Sequence, residues 1–218
     1  MSYLLSLSVA PGSSVTKDFD PPLDMGIQAK VDFGESLTPA EVAIWSEPRV
    51  LRAGERRRKP GPPAIMGWFG GPFLVCEAVK EKLELLGPGN CRFKSFETWG
   101  LDERRRECHY GTYYWVMPPS LDAVVIEATC FSKGMGREGY ERSGGDISLS
   151  PDAKCVVNKR AIGNHHLWRL PQDFGTTPNL PVSTTWRTYF CSDALRDFLK
   201  AERLDGWSFD KKCVDRVV

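Results

Sequence analysis

The sequence predicts an α+β fold of mixed, mostly antiparallel short strands with two clear helices, built on a strand–helix–strand unit that occurs twice. Three observations predict it. Residues 73–93 and 189–209 align without a gap, FLVCEAVKEKLELLGPGNCRF over YFCSDALRDFLKAERLDGWSF, with Ala78/Ala194, Leu83/Leu199 and Phe93/Phe209 identical. The strand and helix signals are interspersed without the long regular alternation of a Rossmann or barrel chain. The remaining strand signals are short and separated by long Pro-, Gly- and Ser-rich loops.

Residues 3–9 read as an edge strand, and 10–37 as loop with one short strand at 27–33. Residues 39–45 form one or two helical turns, and 54–63, GERRRKPGPP, an exposed basic loop. Each repeat opens on an extended apolar triplet, Phe73-Leu74-Val75 or Tyr189-Phe190-Cys191. Ser192 is a good N-cap because its hydroxyl accepts an orphan backbone N–H, whereas Cys76 caps the first copy weakly. Glu77 and Asp193 suit the positive end of the helix dipole. Val79, Leu83 and Leu86, and in turn Leu195, Phe198 and Leu199, recur at helical spacing. Gly87-Pro88-Gly89 and Asp205-Gly206 then end the helices. Residues 101–108 are a charged connector, 110–117 and 121–131 strands, and 132–152 a surface loop. Residues 154–157 and 165–170 are short strands flanking a helical turn at 158–162, and 171–187 are loop. The sum is eight to ten strands in one domain, 1–218, with 100–110 the alternative place for a subdivision.

Composition bounds the function. A net charge of +1 argues against bulk capture by nucleic acid or anionic lipid. There is no run of about 18 apolar residues, hence no membrane span. The start, MSYLLSLSVAPGSS, is a poor signal peptide. Seven cysteines, an odd number without a CxxC pair, mostly inside apolar runs, point to reduced thiols in the cytoplasm.

No motif assembles a reaction centre. Gly134-Met135-Gly136-Arg137-Glu138-Gly139 satisfies GxGxxG, but no helix start follows to receive a pyrophosphate. His165 and His166 adjoin in a predicted strand, so they point to opposite faces and do not chelate one metal together. Cys108-His109 is a sequence neighbour, not a preorganised thiolate–imidazole pair. No cofactor, metal ligand or catalytic residue is assigned. The dense basic features are Arg56-Arg57-Arg58-Lys59 and Arg104-Arg105-Arg106, each flanked by acids. Trp68 lies in a glycine-rich apolar stretch that is either a packing corner or an exposed patch. Arg56, Arg57, Arg58, Trp68, Arg104 and Arg105 are therefore the candidate partner contacts.

The strand His165-His166-Leu167-Trp168-Arg169-Leu170 and the stretch from Tyr189-Phe190-Cys191-Ser192-Asp193-Ala194-Leu195 to Leu204-Asp205-Gly206-Trp207-Ser208-Phe209 resemble signatures of a known family. So do Phe73-Leu74-Val75-Cys76-Glu77 with Cys91-Arg92-Phe93, and the strands Tyr113-Tyr114-Trp115-Val116-Met117 and Leu121-Asp122-Ala123-Val124. The chain resembles immunity-protein family eleven of bacterial polymorphic toxin systems over roughly residues 30–213. That resemblance implies stoichiometric occlusion of a cognate toxin and no catalytic residues. A protein-interaction or regulatory module without a toxin, and an enzyme with a dispersed Cys/His site, are the alternatives.

Overall fold

Both copies of the repeat fold as strand, helix, strand, and in each a third strand lies between the two. The computed structural model describes residues 1–7, 17–53, 61–67, 73–125, 128–129, 155–170 and 189–217. Along the chain run β1 (Ser2–Leu7), β2 (Lys17–Asp20), α1 (Met25–Phe33), α2 (Pro39–Ser46), β3 (Val50–Ala53) and β4 (Ile65–Met66). The first repeat is β5 (Phe73–Cys76), α3 (Glu77–Leu86) and β6 (Arg92–Leu101), followed by β7 (Glu107–Met117). Then come β8 (Val156–Asn158), α4 (Lys159–Ile162) and β9 (Leu167–Arg169). The second repeat, β10 (Tyr189–Ser192), α5 (Asp193–Ala201) and β11 (Trp207–Lys212), precedes β12 (Val214–Arg216). The chain divides into two units, one of Met1–Leu7, Glu81–Arg92 and Pro118–Val218, the other of Ser8–Lys80 and Phe93–Met117.

In the second of these units the sheet order is β2-β3-β6-β7-β5-β4. The strand inserted into the first repeat is β7, antiparallel to β5 from Phe73↔Val116 to Cys76↔Tyr113. In the other unit the order is β11-β1-β10-β9. Here the inserted strand is β1, antiparallel to both β10 and β11. The same topology is thus completed once by the strand that follows the repeat and once by a strand from the beginning of the chain. A one-dimensional alignment compares only the contiguous portion.

Phe19, Ile27, Val31, Leu51, Met66, Leu74, Phe96, Tyr113, Trp115 and Met117 form the core of one unit. Ala123, Val124, Cys155, Val157, Ile162, Trp168, Leu170, Phe190 and Cys213 form that of the other. Phe190 and Trp168 are direct cross-strand partners with rings stacked 4.0 Å apart. Each such large, fully buried side chain favours the fold by roughly 2–3 kcal/mol.

Three expectations are corrected. Residues 27–33 belong to a helix: the Asp24 carboxylate accepts from Gly26 N and Ile27 N, and Gly34 closes the C-terminus at φ 74°. With both caps in place, Ile27 and Val31 bury as an i,i+4 pair, where an extended chain would separate them. The strand expected at the edge, β1, has partners on both sides, and its Tyr3 and Leu5 are buried. The continuous strand expected at 121–131 is absent among the described residues, where Ser120↔Arg169 and Val124↔Val157 are isolated bridges. The reason is local: the Thr129 hydroxyl accepts from Val156 N at 3.0 Å and donates to Val125 O at 2.8 Å, substituting for a ladder bond.

Helix α2 is fixed at both ends. Thr38 and Glu41 form a capping box with proline at the helix start. Glu41 also accepts from Lys30 Nζ at 2.6 Å, and this bond with those from Thr38 holds its carboxyl down at about 2. At the other end Lys94 Nζ and Arg49 Nη1 donate to the Trp45 carbonyl. The Trp45 ring packs edge-on against Trp115 at 5.1 Å.

Candidate functional site

Arg104 and Arg105 sit in the tight turn that joins β6 to β7. Asp102 builds this turn, since one carboxylate oxygen accepts Arg104 N at 2.8 Å and Arg106 N at 2.9 Å. Its other oxygen takes Arg106 Nε at 3.0 Å and Nη2 at 2.8 Å. Those bonds hold the Asp102 carboxyl below the usual carboxylate range. Arg105 reverses the chain at φ 59°. The third arginine of the cluster is therefore committed to the turn, while Arg104 and Arg105 are exposed. Arg56, Arg57, Arg58 and Trp68 lie outside the described residues, as does the glycine motif at 134–139.

The hairpin face beside this turn mixes rings with charges. His109 Nε2 lies 2.6 Å from Glu97 Oε2, and Thr112 donates to Glu97 Oε1 at 3.0 Å. The Trp99 and His109 rings stand 5.1 Å apart. His109 and Thr112, three residues apart, reach the same carboxylate, and Gly111 between them stands at φ 82°. Arg52 pairs with Glu107 and, at 3.5 Å, with Asp20. Arginine, indole, imidazole and carboxylates on a rigid hairpin suit a protein surface, where a few such anchors supply most of the affinity.

The repeat in the other unit holds the nearest approach to a nucleophile–base pair. His166 Nδ1 lies 2.8 Å from Ser192 Oγ. That hydroxyl also accepts Leu195 N at 3.3 Å as the cap of α5, so the geometry is that of a capped helix and an oriented ring. No carboxylate pairs with the His166 ring among the described residues, and the third member of a triad is missing there. Asp193, next to Ser192, is occupied by the Met1 ammonium at 2.6 Å. Burial, with His165 and Lys82 nearby, lowers the His166 pKa below the usual imidazole value. Neighbouring Cys191 is fully buried and its thiol is pushed well above the ordinary range, the opposite of what a thiolate nucleophile needs. Among the described residues no group of three or more His, Cys, Asp or Glu is placed to hold a metal ion. No described helix is long and apolar enough to cross a membrane.

Helix α2 is not among the sequence-predicted contacts. Its Val42 and Ile44 are 47% and 41% exposed on a helix with no buried residue. A usable signal was present: Thr38-Pro39-Ala40-Glu41 spells a capped start, and Ala40, Val42, Ala43 and Ile44 fall on more than one helical face.

No curated protein sequence matches the chain. The model of the immunity protein family Imm11 matches residues 16–213, a span that takes in both copies of the strand–helix–strand unit and the β6–β7 hairpin between them. The chain belongs to the Imm11 immunity protein family.

Proposed function

We propose that this protein is an antitoxin that neutralises a cognate bacterial toxin by stoichiometric occlusion, acting in the cytoplasm as one functional domain, 1–218, and without catalysis. The observation that carries the reading is the family match over 16–213. The buried, proton-retaining Cys191 and the cap-bound Ser192 support a role that depends on surface and not on a nucleophile. Arg104 and Arg105, held out by the Asp102 turn, are proposed contacts, with Arg56, Arg57, Arg58 and Trp68. The partner is a toxin encoded beside this gene, and a stable complex buries on the order of 800 Å² on each side.

Co-expression with the neighbouring toxin tests this. Growth is restored, and an equimolar complex survives size-exclusion chromatography. Toxicity that persists with no complex refutes the reading. Rescue by trace amounts of the protein, turning over the toxin or its product, would establish an enzyme instead.

A further inference from the structure

We infer that Cys155 and Cys213 form a reversible disulfide, with hydrogen peroxide as the oxidant, that latches β12 onto β8. The pairing follows from the strand register. β8 and β12 run parallel, with Val156↔Val214 as the first pair of their ladder. Cys155 and Cys213 are the residues immediately before that pair, one on each strand. Val214 N donates to Cys155 O at 2.8 Å, which closes the ladder at this end. Adjacent strands lie about 4.8 Å apart, within the Cα separation that a disulfide spans. Both side chains enter the same core, where Cys155 is fully buried and Cys213 nearly so. Their thiols are hydrogen-bonded to one another.

The two repeats differ at this point. In the first copy β6 is one strand from Arg92 to Leu101, paired with β7 on one side and β3 on the other. Carrying the offset of the repeats forward sets Cys213 at Glu97, whose partner in β3 is Val50. In the second copy the same course is broken there, because β11 pairs with β1 and β12 with β8. Cys213 stands at the break, its N–H donating to Ser2 O at 2.9 Å. β12 is thus held by a three-residue ladder in a two-stranded sheet, an arrangement of low intrinsic stability. A bond from Cys213 to Cys155 staples the chain where the sheet is interrupted.

One thiol, as its thiolate, attacks a peroxide oxygen. The O–O bond breaks, leaving a sulfenic acid and a hydroxide that the released proton converts to water. The second thiol then displaces the sulfenic oxygen as water and forms the S–S bond. Two thiols thus lose two electrons and two protons, and the peroxide becomes two waters. The thiol–thiol bond and burial keep Cys213 protonated, so the reaction needs sustained oxidant. Hydrogen peroxide is close to water in size and enters through local fluctuations that exclude iodoacetamide.

The test incubates the full-length protein with hydrogen peroxide, quenches it with iodoacetamide in urea, and maps it by non-reducing peptide mass spectrometry. The expected product is a linked peptide pair joining Cys155 to Cys213, lost on addition of dithiothreitol. Hydrogen exchange of the Val214–Arg216 amides slows by about 30-fold in the oxidised protein and recovers on reduction. Cys155→Ala, treated alike, shows no slowing. If that variant does not fold, oxidised and reduced wild type decide the matter by themselves. Cys155 and Cys213 both alkylated in urea after peroxide overturn the inference. So does a link from Cys213 to Cys191 in their place, or a Cys155–Cys213 link that leaves exchange unchanged. The readouts follow the thiols and β12 alone, so either result leaves the antitoxin reading standing.

Discussion

The ammonium of Lys94 lies 4.1 Å from the centroid of the Trp45 ring and donates to the carbonyl of the same residue. One side chain of β6 thus supplies both a cation for the aromatic face and a cap for the negative end of α2. Burial, with Arg49 close by, lowers the Lys94 pKa, so the cation is kept there at an electrostatic cost. Lys94→Met retains the apolar stem and removes the charge. It lowers stability by about 1–2 kcal/mol, read as a reduced urea midpoint with an unchanged slope.

The Glu41 carboxyl titrates at about 2 in the folded protein, below its ordinary 4.5, because Lys30 and Thr38 bond its charged form. For an acid whose folded value is depressed, the stabilisation is complete above the unfolded value and disappears as pH falls through the folded one. Wild-type stability therefore falls between about pH 4.5 and pH 2 more steeply than that of Glu41→Gln. Urea midpoints across that range check the difference. Parallel curves would show that the ion pair is not formed in solution.

His166 has the opposite chemistry and a different window. Its folded pKa lies below the usual 6.5, chiefly through burial. Protonation then favours the unfolded chain, so its contribution is complete above about pH 6.5 and is lost as pH falls through the folded value. His166→Asn keeps an acceptor for Ser192 and removes the ionisation. Thermal melts from pH 7.5 to 5 should decline less for that variant than for wild type, with the two curves meeting at the alkaline end.

Thiol chemistry divides the cysteines by burial. Cys91 is pushed up to about 12, and Cys191 and Cys213 higher still, with a bond from Cys155 as the leading cause for Cys213. Cys76, Cys91 and Cys108 are half-buried, whereas Cys155, Cys191 and Cys213 are buried. Iodoacetamide at neutral pH, followed by peptide mass spectrometry, labels Cys76 and Cys108 ahead of Cys91, whose thiol is held protonated, and leaves Cys191 and Cys213 unmodified until urea is added. Rapid labelling of Cys191 in the folded protein would revive a thiol-based mechanism.

What the sequence discloses is what short-range physics controls. The two strand–helix–strand copies are legible because apolar triplets, Ser192 and Gly87 act over a few residues; the second helix instead ends at Ala201, with Arg203 and not Asp205-Gly206 turning the chain at φ 51°. Helix α2 and the helical turn at Lys159–Ile162 were legible for the same reason. The helix at Met25–Phe33 reads as a strand because its apolar residues Met25, Ile27, Ala29, Val31 and Phe33 alternate at period two, and its helical signal lies in the caps Asp24 and Gly34. The central place of β1 was not legible at all, since its partners are separated from it by most of the chain. The site follows the same division. Arg104 and Arg105 were found as composition, but the Asp102 clamp that separates them from Arg106 is a property of the turn. The fixed exposure of Val42 and Ile44 depends on Lys94 and Arg49, neither of which belongs to α2.

The strand inserted in the second repeat bears on how the molecule is made. Met1 meets Asp193 across 192 residues, so the β11-β1-β10-β9 sheet cannot close until the chain through β11 has left the ribosome. The β7 insertion, by contrast, needs only a short hairpin and is available early in synthesis. Throughout that delay Tyr3 and Leu5 have no sheet to enter and present an unpaired apolar strand to solvent or a chaperone. A nascent chain halted before β10 would therefore carry a finished first copy of the motif and an orphaned leading strand, a species poised to aggregate.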